Sequence, residues 1–488
     1  MHQTRLPYFL IPLAAFLATI PLLIHGCSCG HDFDFHVLSW LEAARQFTHG
    51  NLHPHWAYTP AYNAGEPRFV FYPPLSWTIG AILGLLFPWT WTPILYTWLA
   101  LTSAGLALHR LARDFTTGTA ALIAAVLYTV NPYMLFTAYE RSAYAELLAV
   151  AWIPLLLQAI LRSNDKGGVT IPRIAIPIAL LWLTNAPAAV MSCYALALLT
   201  IIRLAKNPGA PSFALFAKGG VSRASATAPA HLNLTTTPSQ TRTQLARNTI
   251  TGTVLGLGLA AFYILPAAYQ RRYVQIAMAI IPNMRIQDNF LFHRTGDPPH
   301  DQVLHTASLI AVLLVALTVA TLTILYTRRS SASHSTLIRQ NTEERASSRL
   351  EKEGSPQTEK DASSRPNPER AQRVEGEVER PPHFFSSCTH SNNRLPLTIL
   401  TITIALLLTP PATPIWTHAP ELAFLQFPWR LVAILAAVLA LAIALALKSI
   451  HLNTKITTIL AVAIAAALTY PAYTAFHQTC DQEATVEA

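Results

Sequence analysis

The chain holds 488 residues, 52% hydrophobic and only 12% charged, with a formal net charge of +9. Soluble proteins carry roughly 25% charged residues, so a water-soluble globule of this composition could not cover its surface, and a disordered chain would not be so apolar. With 19 Gly and 5 Cys it is neither collagen-like nor a disulfide scaffold; the composition is that of an all-α polytopic membrane protein.

A helix crosses a bilayer with about 20 mostly apolar residues. In chain order the stretches that meet this are Leu6–His25, Thr92–Leu111, Gly118–Thr137, Ala143–Leu161, Asn248–Pro266, Leu304–Tyr326, Leu395–Pro410, Pro428–Leu447 and Ile456–Tyr473. The run Ile171–Leu204 adds two short helices, because Asn185-Ala-Pro187 interrupts it and proline cannot continue a ladder. That predicts about eleven crossings. The first is read as a retained anchor, since its apolar run is uninterrupted and of spanning length.

One further apolar stretch, Phe71–Phe87, is bounded by Pro73-Pro74 and Pro88 and is marginal in length. Charge decides its placement. Arg5 sets the N-terminus in the cytoplasm and loop 26–91 outside. If Phe71–Phe87 crossed, three basic stretches would fall outside: Arg110-Leu-Ala-Arg113, the loop with Arg162 and Lys166, and segment 203–247. If it lies along the outer surface, all three fall inside, as the positive-inside rule requires. The chain then divides into a transmembrane module over 1–326, a cytoplasmic loop over 327–394, and C-terminal transmembrane helices with a short outer tail over 395–488. Of 59 charged residues, 22 lie between Arg328 and Arg394, with mixed sign and no sustained apolar period, so 327–394 is expected to be disordered.

Cys27, Cys29 and Cys480 fall on the outer side, where disulfides can form. A one-residue spacing gives poor bridge geometry for Cys27 and Cys29, and Cys27-Ser-Cys29-Gly-His31 lacks a four-ligand metal pattern. Free thiols are the expected state.

Transporters carry charges within their helices, and these helices carry almost none. The ionisable groups gather in the outer loops instead. Loop 26–91 has His31-Asp32-Phe-Asp34-Phe-His36, Glu42, Arg45, His53-Pro-His55-Trp56 and Glu66-Pro-Arg68. The next has Glu140-Arg141 and Glu146; a third, 267–303, includes Arg271, Arg272, Asp288, His293 and Asp297; a fourth holds His418, Glu421 and Gln426-Phe-Pro-Trp429-Arg430. Outer arginines suit a phosphate fork, and carboxylates suit proton transfer. Trp56, Tyr58, Tyr72 and Trp429 suit either sugar stacking or the interfacial aromatic belt.

One helix, a long outer loop with Asp-x-Asp near its start, two helices and a second acidic outer loop make an arrangement that resembles the GT-C superfamily of integral membrane glycosyltransferases. That resemblance implies surface-lying helices in the first outer loop. Gly30-His31-Asp32-Phe-Asp34-Phe-His36, Phe71-Tyr72-Pro73, Tyr139-x-Arg141-Ser-Ala-Tyr-Ala-Glu146 and Gln426-Phe-Pro-Trp-Arg430 are similar, more closely, to bacterial membrane proteins described as 6-pyruvoyl-tetrahydropterin synthase-related. The residues here give no support to pterin chemistry.

The resemblance implies catalytic roles for Asp32, Asp34 and Glu146, with Asp32 as the base toward an acceptor hydroxyl. It implies substrate or phosphate binding by His36, Tyr72, Arg141, Arg271 and Arg430. Asp32 and Asp34 with nearby imidazoles would suit Mg²⁺ or Mn²⁺, and equally a metal-free base. The expected activity is inverting transfer of a sugar from a polyprenyl-phosphate-linked donor to an acceptor on the outer face of the bacterial cytoplasmic membrane, the C-terminus lying outside. The partners are membrane lipids, the lipid-linked donor and an unidentified acceptor, and no nucleic acid. The rival readings are a transporter of lipid-linked saccharide, or a non-catalytic envelope assembly protein with the same fold and a shorter C-terminal region than such proteins commonly have.

Overall fold

A computed structural model describes residues 5–162, 167–206, 240–275, 282–353, 393–449 and 452–480. Among the described residues the secondary structure is helical, apart from one isolated antiparallel bridge between Ala57 and Glu66.

Helix α1 (Leu6–His25) ends where Gly26 turns to φ 90°. Helix α2 (Phe33–Thr48) is amphipathic and buries Phe33, Val37, Trp40, Ala43 and Ala44 along one stripe. Against it packs α3 (Pro74–Leu86), opened by a proline in its first turn. The approach is close enough that a β-carbon on Gly80 would overlap the Trp40 ring. Helix α4 (Thr92–Arg113) follows.

The next two apolar stretches are each broken. Helices α5 (Gly118–Thr129) and α6 (Pro132–Tyr139) part at Asn131-Pro132, where the Asn131 side chain accepts from the N–H groups of Tyr133 and Met134. Helices α7 (Tyr144–Ala149) and α8 (Trp152–Leu161) part just before Pro154. Proline supplies no N–H, so the carbonyl of Val150 loses its helical partner; the Tyr128 hydroxyl donates to it at 2.9 Å. Between α9 (Ile171–Thr184) and α10 (Ala186–Lys206), Asn185 accepts from the N–H of Ala188 at 2.9 Å, giving the break expected at Asn185-Ala-Pro187.

Helix α11 (Arg242–Leu259) opens with a capping box of Thr241 and Gln244 and turns by 73° into α12 (Ala261–Gln270) and the short turn that follows. Helix α13 spans Pro298–Glu353. Helix α14 (Arg394–Leu407) meets Pro410-Pro411 and turns by 95° into α15 (Thr413–His418). Helix α16 (Val432–Ala446) is Val, Ala, Leu and Ile throughout and is buried on nearly every face, against α4, α5 and α14, as an all-round apolar helix must be. Helix α17 (Thr454–Phe476), capped by Asn453, closes on α1 and α5.

Among the described residues, seven helices are by length and composition sufficient to cross a membrane: Leu6–His25, Gly118–Tyr139, Tyr144–Leu161, Ala186–Lys206, Pro298–Arg328, Pro428–Ala446 and Thr454–Phe476. The number is nine if each bent pair is one span, so the expected eleven is not reproduced among the described residues. The difference lies in two stretches. Helix α4 is long enough but carries Thr97, Thr102, His109, Arg110 and Arg113, and buries one face against α1, α5 and α8. Helix α9 is only 14 residues. The Phe71–Phe87 stretch forms the 13-residue α3, too short to cross a bilayer of ~30 Å.

The chain forms two compact units, Met1–Leu322 with Asn393–Ala488, and Thr323–Asn392. In the second, the backbone is helical to Glu353, so residues 327–353 are helix where a disordered loop is expected; the rest of that loop, 354–392, lies outside the described residues, as do the basic segment 207–239 and Lys166.

The expectation of free thiols is overturned for two cysteines. Cys29 and Cys480 form a disulfide across 451 residues of sequence, with Cα atoms 5.0 Å apart, while Cys27 and Cys193 are free. Spacing along the chain carries no signal for a partner this distant; only the packing of α17 beside α1 brings the two ends together.

Candidate functional site

The segment between α1 and α2 is held by backbone and serine contacts. Ser28 Oγ donates to the carbonyl of Tyr139 at 2.7 Å, and Ser142 Oγ donates to the carbonyl of Ser28 at 2.7 Å while accepting from Gly30 N–H at 3.1 Å. Ser142 itself sits at φ 49°, a left-handed position unusual for serine, at the tip of the turn between α6 and α7. Gly30 runs so close to this turn that a β-carbon would collide with the carbonyl of Glu140. Only glycine permits that approach.

The chain then enters α2 with Asp32 at the N-cap, its N–H donating to the carbonyl of Arg141 at 2.8 Å. An aspartate there would ordinarily cap the helix with its side chain. This one does not, and its carboxylate lies 3.4 Å from Arg141 Nη2. Backbone and side chain thus both couple Asp32 to Arg141.

Arg141 is buried, and its other terminal nitrogen donates to Glu146 Oε2 at 2.7 Å. Its guanidinium stacks over the Trp429 ring, 4.7 Å from the centroid. Arg430 Nε lies 3.3 Å from the same Glu146 oxygen, its Nη1 donates to the carbonyl of Leu425 at 3.0 Å, and the group lies over Phe427. The Tyr133 hydroxyl donates to Glu146 Oε1. Both oxygens of Glu146 are therefore committed, and its side chain is 4% exposed against 42% for Asp32.

The consequence is a division of labour. Glu146 is a buried counter-charge that holds two guanidiniums in place, whereas Asp32 is the carboxylate of this cluster open to a ligand. Two acids against two arginines leave the cluster formally neutral. Burial works against the charge of Arg141, but the Glu146 and Asp32 carboxylates more than offset it, so its pKa is raised and it stays a cation.

These groups line a cavity of about 800 Å³. The four loops rich in ionisable residues all reach it: His31 and Asp32 from the first, Arg141 and Glu146 from the second, Asn283, Asn289 and Asp297 from the third, and Gln426 to Arg430 from the fourth, Pro428 excepted. Asn185 and Pro187, at the break between α9 and α10, also face it.

Of the residues singled out in the sequence, Asp32, His36, Tyr72, Arg141, Glu146 and Arg430 line this cavity, and Asp34 and Arg271 do not. Asp34 is exposed. Positions two apart on a helix point to different sides, so an Asp-x-Asp that begins α2 cannot converge on one ligand. Among the described residues no group of three or more His, Cys, Asp or Glu is arranged to hold a metal. Arg271 has Nη1 3.3 Å from both oxygens of Glu421, in an exposed pair.

His36 lines the cavity, but packs against Phe35, Trp40 and Tyr144. Burial pushes its pKa down to about 4, with the Arg141 and Arg68 charges adding to the effect and Asp32 opposing it. Among the protein's own groups, this balance favours the neutral imidazole near pH 7. Tyr72 is half-exposed, its ring 4.4 Å from Phe35, and its carbonyl accepts from Trp77 Nε1 at 3.2 Å.

Tyr133 and His300 were not anticipated. Tyr133 sits in an apolar span, where a tyrosine reads as a belt residue, and nothing local marks it as the partner of a carboxylate 13 positions on. His300 lies in the first turn of α13 and lines the cavity.

Residues 69–209 match the model of a family described as "6-pyruvoyl-tetrahydropterin synthase related domain; membrane protein". The match takes in Tyr72, Arg141 and Glu146, and leaves Asp32 and Arg430 outside it. No curated protein and no solved structure matches the chain.

Proposed function

We propose that this chain is an inverting membrane glycosyltransferase of the GT-C kind, which moves a sugar from a polyprenyl-phosphate-linked donor to an acceptor hydroxyl. The observation that carries this reading is the half-exposed Asp32 carboxylate set in one cavity beside the buried Arg141 and the mostly covered Arg430. Asp32 takes the proton of the acceptor hydroxyl as its oxygen attacks the anomeric carbon. The bond from that carbon to the phosphate oxygen breaks on the opposite face, and its electron pair leaves with the lipid phosphate. Arg141 and Arg430, held by Glu146 and Tyr133, stabilise the negative charge that develops there. Preorganisation by buried partners keeps the guanidiniums from reorienting during the step.

The cavity is read as opening on the non-cytoplasmic side of the bacterial cytoplasmic membrane, with the N-terminus inside and Cys480 outside. A disulfide at the mouth of the Asp32 loop supports this, because such bonds persist in oxidising compartments.

The test is transfer from a labelled polyprenyl-phosphate sugar in membranes carrying the full chain. Asp32→Asn, which keeps the shape and removes the base, is expected to lower transfer by about 10²–10⁴-fold. Unchanged transfer removes the assignment. A second reading, a non-catalytic envelope assembly protein, is favoured by one feature: the four charges of the cluster satisfy one another. It predicts no release of lipid phosphate by the purified wild-type protein.

A further inference from the structure

We propose that the Cys29–Cys480 disulfide is a maturation clamp: a dithiol–disulfide oxidant on the cavity side of the membrane closes it, and closure docks the segment after α17 and thereby positions Asp32. The proposal does not depend on the reaction the cavity performs.

The connection runs without a gap from the bond to the site. Beyond the disulfide itself, Cys29 N–H donates to the carbonyl of Gln478 at 3.1 Å, and Gln478 N–H donates to Ser28 Oγ at 2.9 Å. The Gln478 side chain donates to Glu140 Oε2 at 2.9 Å. Residues 478–480 therefore tie both strands of the turn that holds the site: Ser28 to Gly30 on one side and Tyr139 to Ser142 on the other. Two residues beyond Gly30 stands Asp32, bonded through its N–H to Arg141. Without the covalent tie, this segment has only a few hydrogen bonds to keep it against the turn, and segments held by so few contacts open readily.

Cys27 is not poised to exchange into this bond. Cys27, two residues away, directs its thiol toward the carbonyl of Thr90 at 3.7 Å. Burial pushes that thiol up to about 11, so at neutral pH it is protonated and a poor nucleophile toward its neighbour. Closure is a two-electron oxidation. The thiols of Cys29 and Cys480 lose two protons and two electrons as the S–S bond forms, and the oxidant's disulfide takes them up to become a dithiol.

The experiment uses the full chain in lipid nanodiscs and needs no substrate. First, peptide mapping without reductant follows protein made in a host with and without an extracytoplasmic dithiol–disulfide oxidant. The linked Cys29–Cys480 peptide is expected only in the first; free Cys29 and Cys480 in both overturns the proposal. Second, amide hydrogen exchange compares oxidised wild type with the Cys29→Ser/Cys480→Ser variant. Exchange at Gly30 and Asp32 is expected to rise by about tenfold or more, while α16 keeps its protection. Equal exchange at Gly30 and Asp32 refutes the positioning role. If the double variant does not fold, wild type opened by a phosphine reductant gives the same comparison. Cys27→Ser is the control and is expected to leave both readouts unchanged.

Discussion

Tyr133 donates its phenolic proton to Oε1 of Glu146, leaving Oε2 to be shared by Arg141 and Arg430. A single buried carboxylate thus sets the position of both guanidiniums that face the cavity. Tyr133→Phe should leave Oε1 without a donor and lower stability by about 1–3 kcal/mol. Glu146→Ala removes the counter-charge that two guanidiniums share and should cost more, about 3–5 kcal/mol. Since the two side chains act on one another, the double variant should be less destabilised than the sum of the singles. Thermal unfolding of the three variants in one detergent checks this, and strict additivity refutes the shared network.

The close pass of Gly30 makes a second prediction. In Gly30→Ala the added methyl meets the Glu140 carbonyl, so the loop must shift, at a cost of about 1–3 kcal/mol. Because the shift falls two residues from Asp32, sugar transfer should fall further than the loss of folded protein accounts for. Transfer per folded molecule separates the two effects.

Acid should destabilise the protein through His36. Its folded pKa of about 4 lies below the ordinary value of 6.5, so between these limits the unfolded chain binds the extra proton and the folded chain does not. Stability from this group is complete above pH 6.5, declines as pH falls toward 4, and changes no further below that. His36→Phe should lessen the slope of the melting temperature over that window, and an unchanged slope would exclude a contribution from His36.

Asp34 and Arg271 provide the contrast to Asp32. Both lie off the cavity, so Asp34→Asn and Arg271→Ala should leave transfer within about twofold of wild type, the effect of ordinary surface substitution. A loss with Asp34→Asn comparable to that of Asp32→Asn would return the acidic pair to consideration.

What the sequence revealed and what it concealed follow from the range of the interactions. Apolar runs and prolines act locally, so the membrane-spanning character, the break at Asn185-Ala-Pro187 and the gathering of charge in loops could be read directly. So could the candidacy of Asp32, Arg141, Glu146 and Arg430, which the fold then places around one cavity. The division between them could not. Whether a carboxylate faces a ligand or holds an arginine depends on burial, and Glu146 gains its partners from α6 and from the turn before α16. The position of Asp34 off the cavity has a local cause that the motif hides: residues two apart share a face in an extended strand, and here α2 begins at Phe33. The expected count of crossings exceeds the seven to nine helices that are long and apolar enough among the described residues by two stretches: α4, which is more polar, and α9, which is short.

The Cys29–Cys480 bond also sets an order of events during synthesis. Cys29 leaves the ribosome 451 residues ahead of its partner, an interval of roughly 20–90 s at ordinary elongation rates. Throughout that time Cys29 stands two residues from Cys27 with its final partner not yet made. The loop that carries Asp32 is thus made well before the segment that locks it in place.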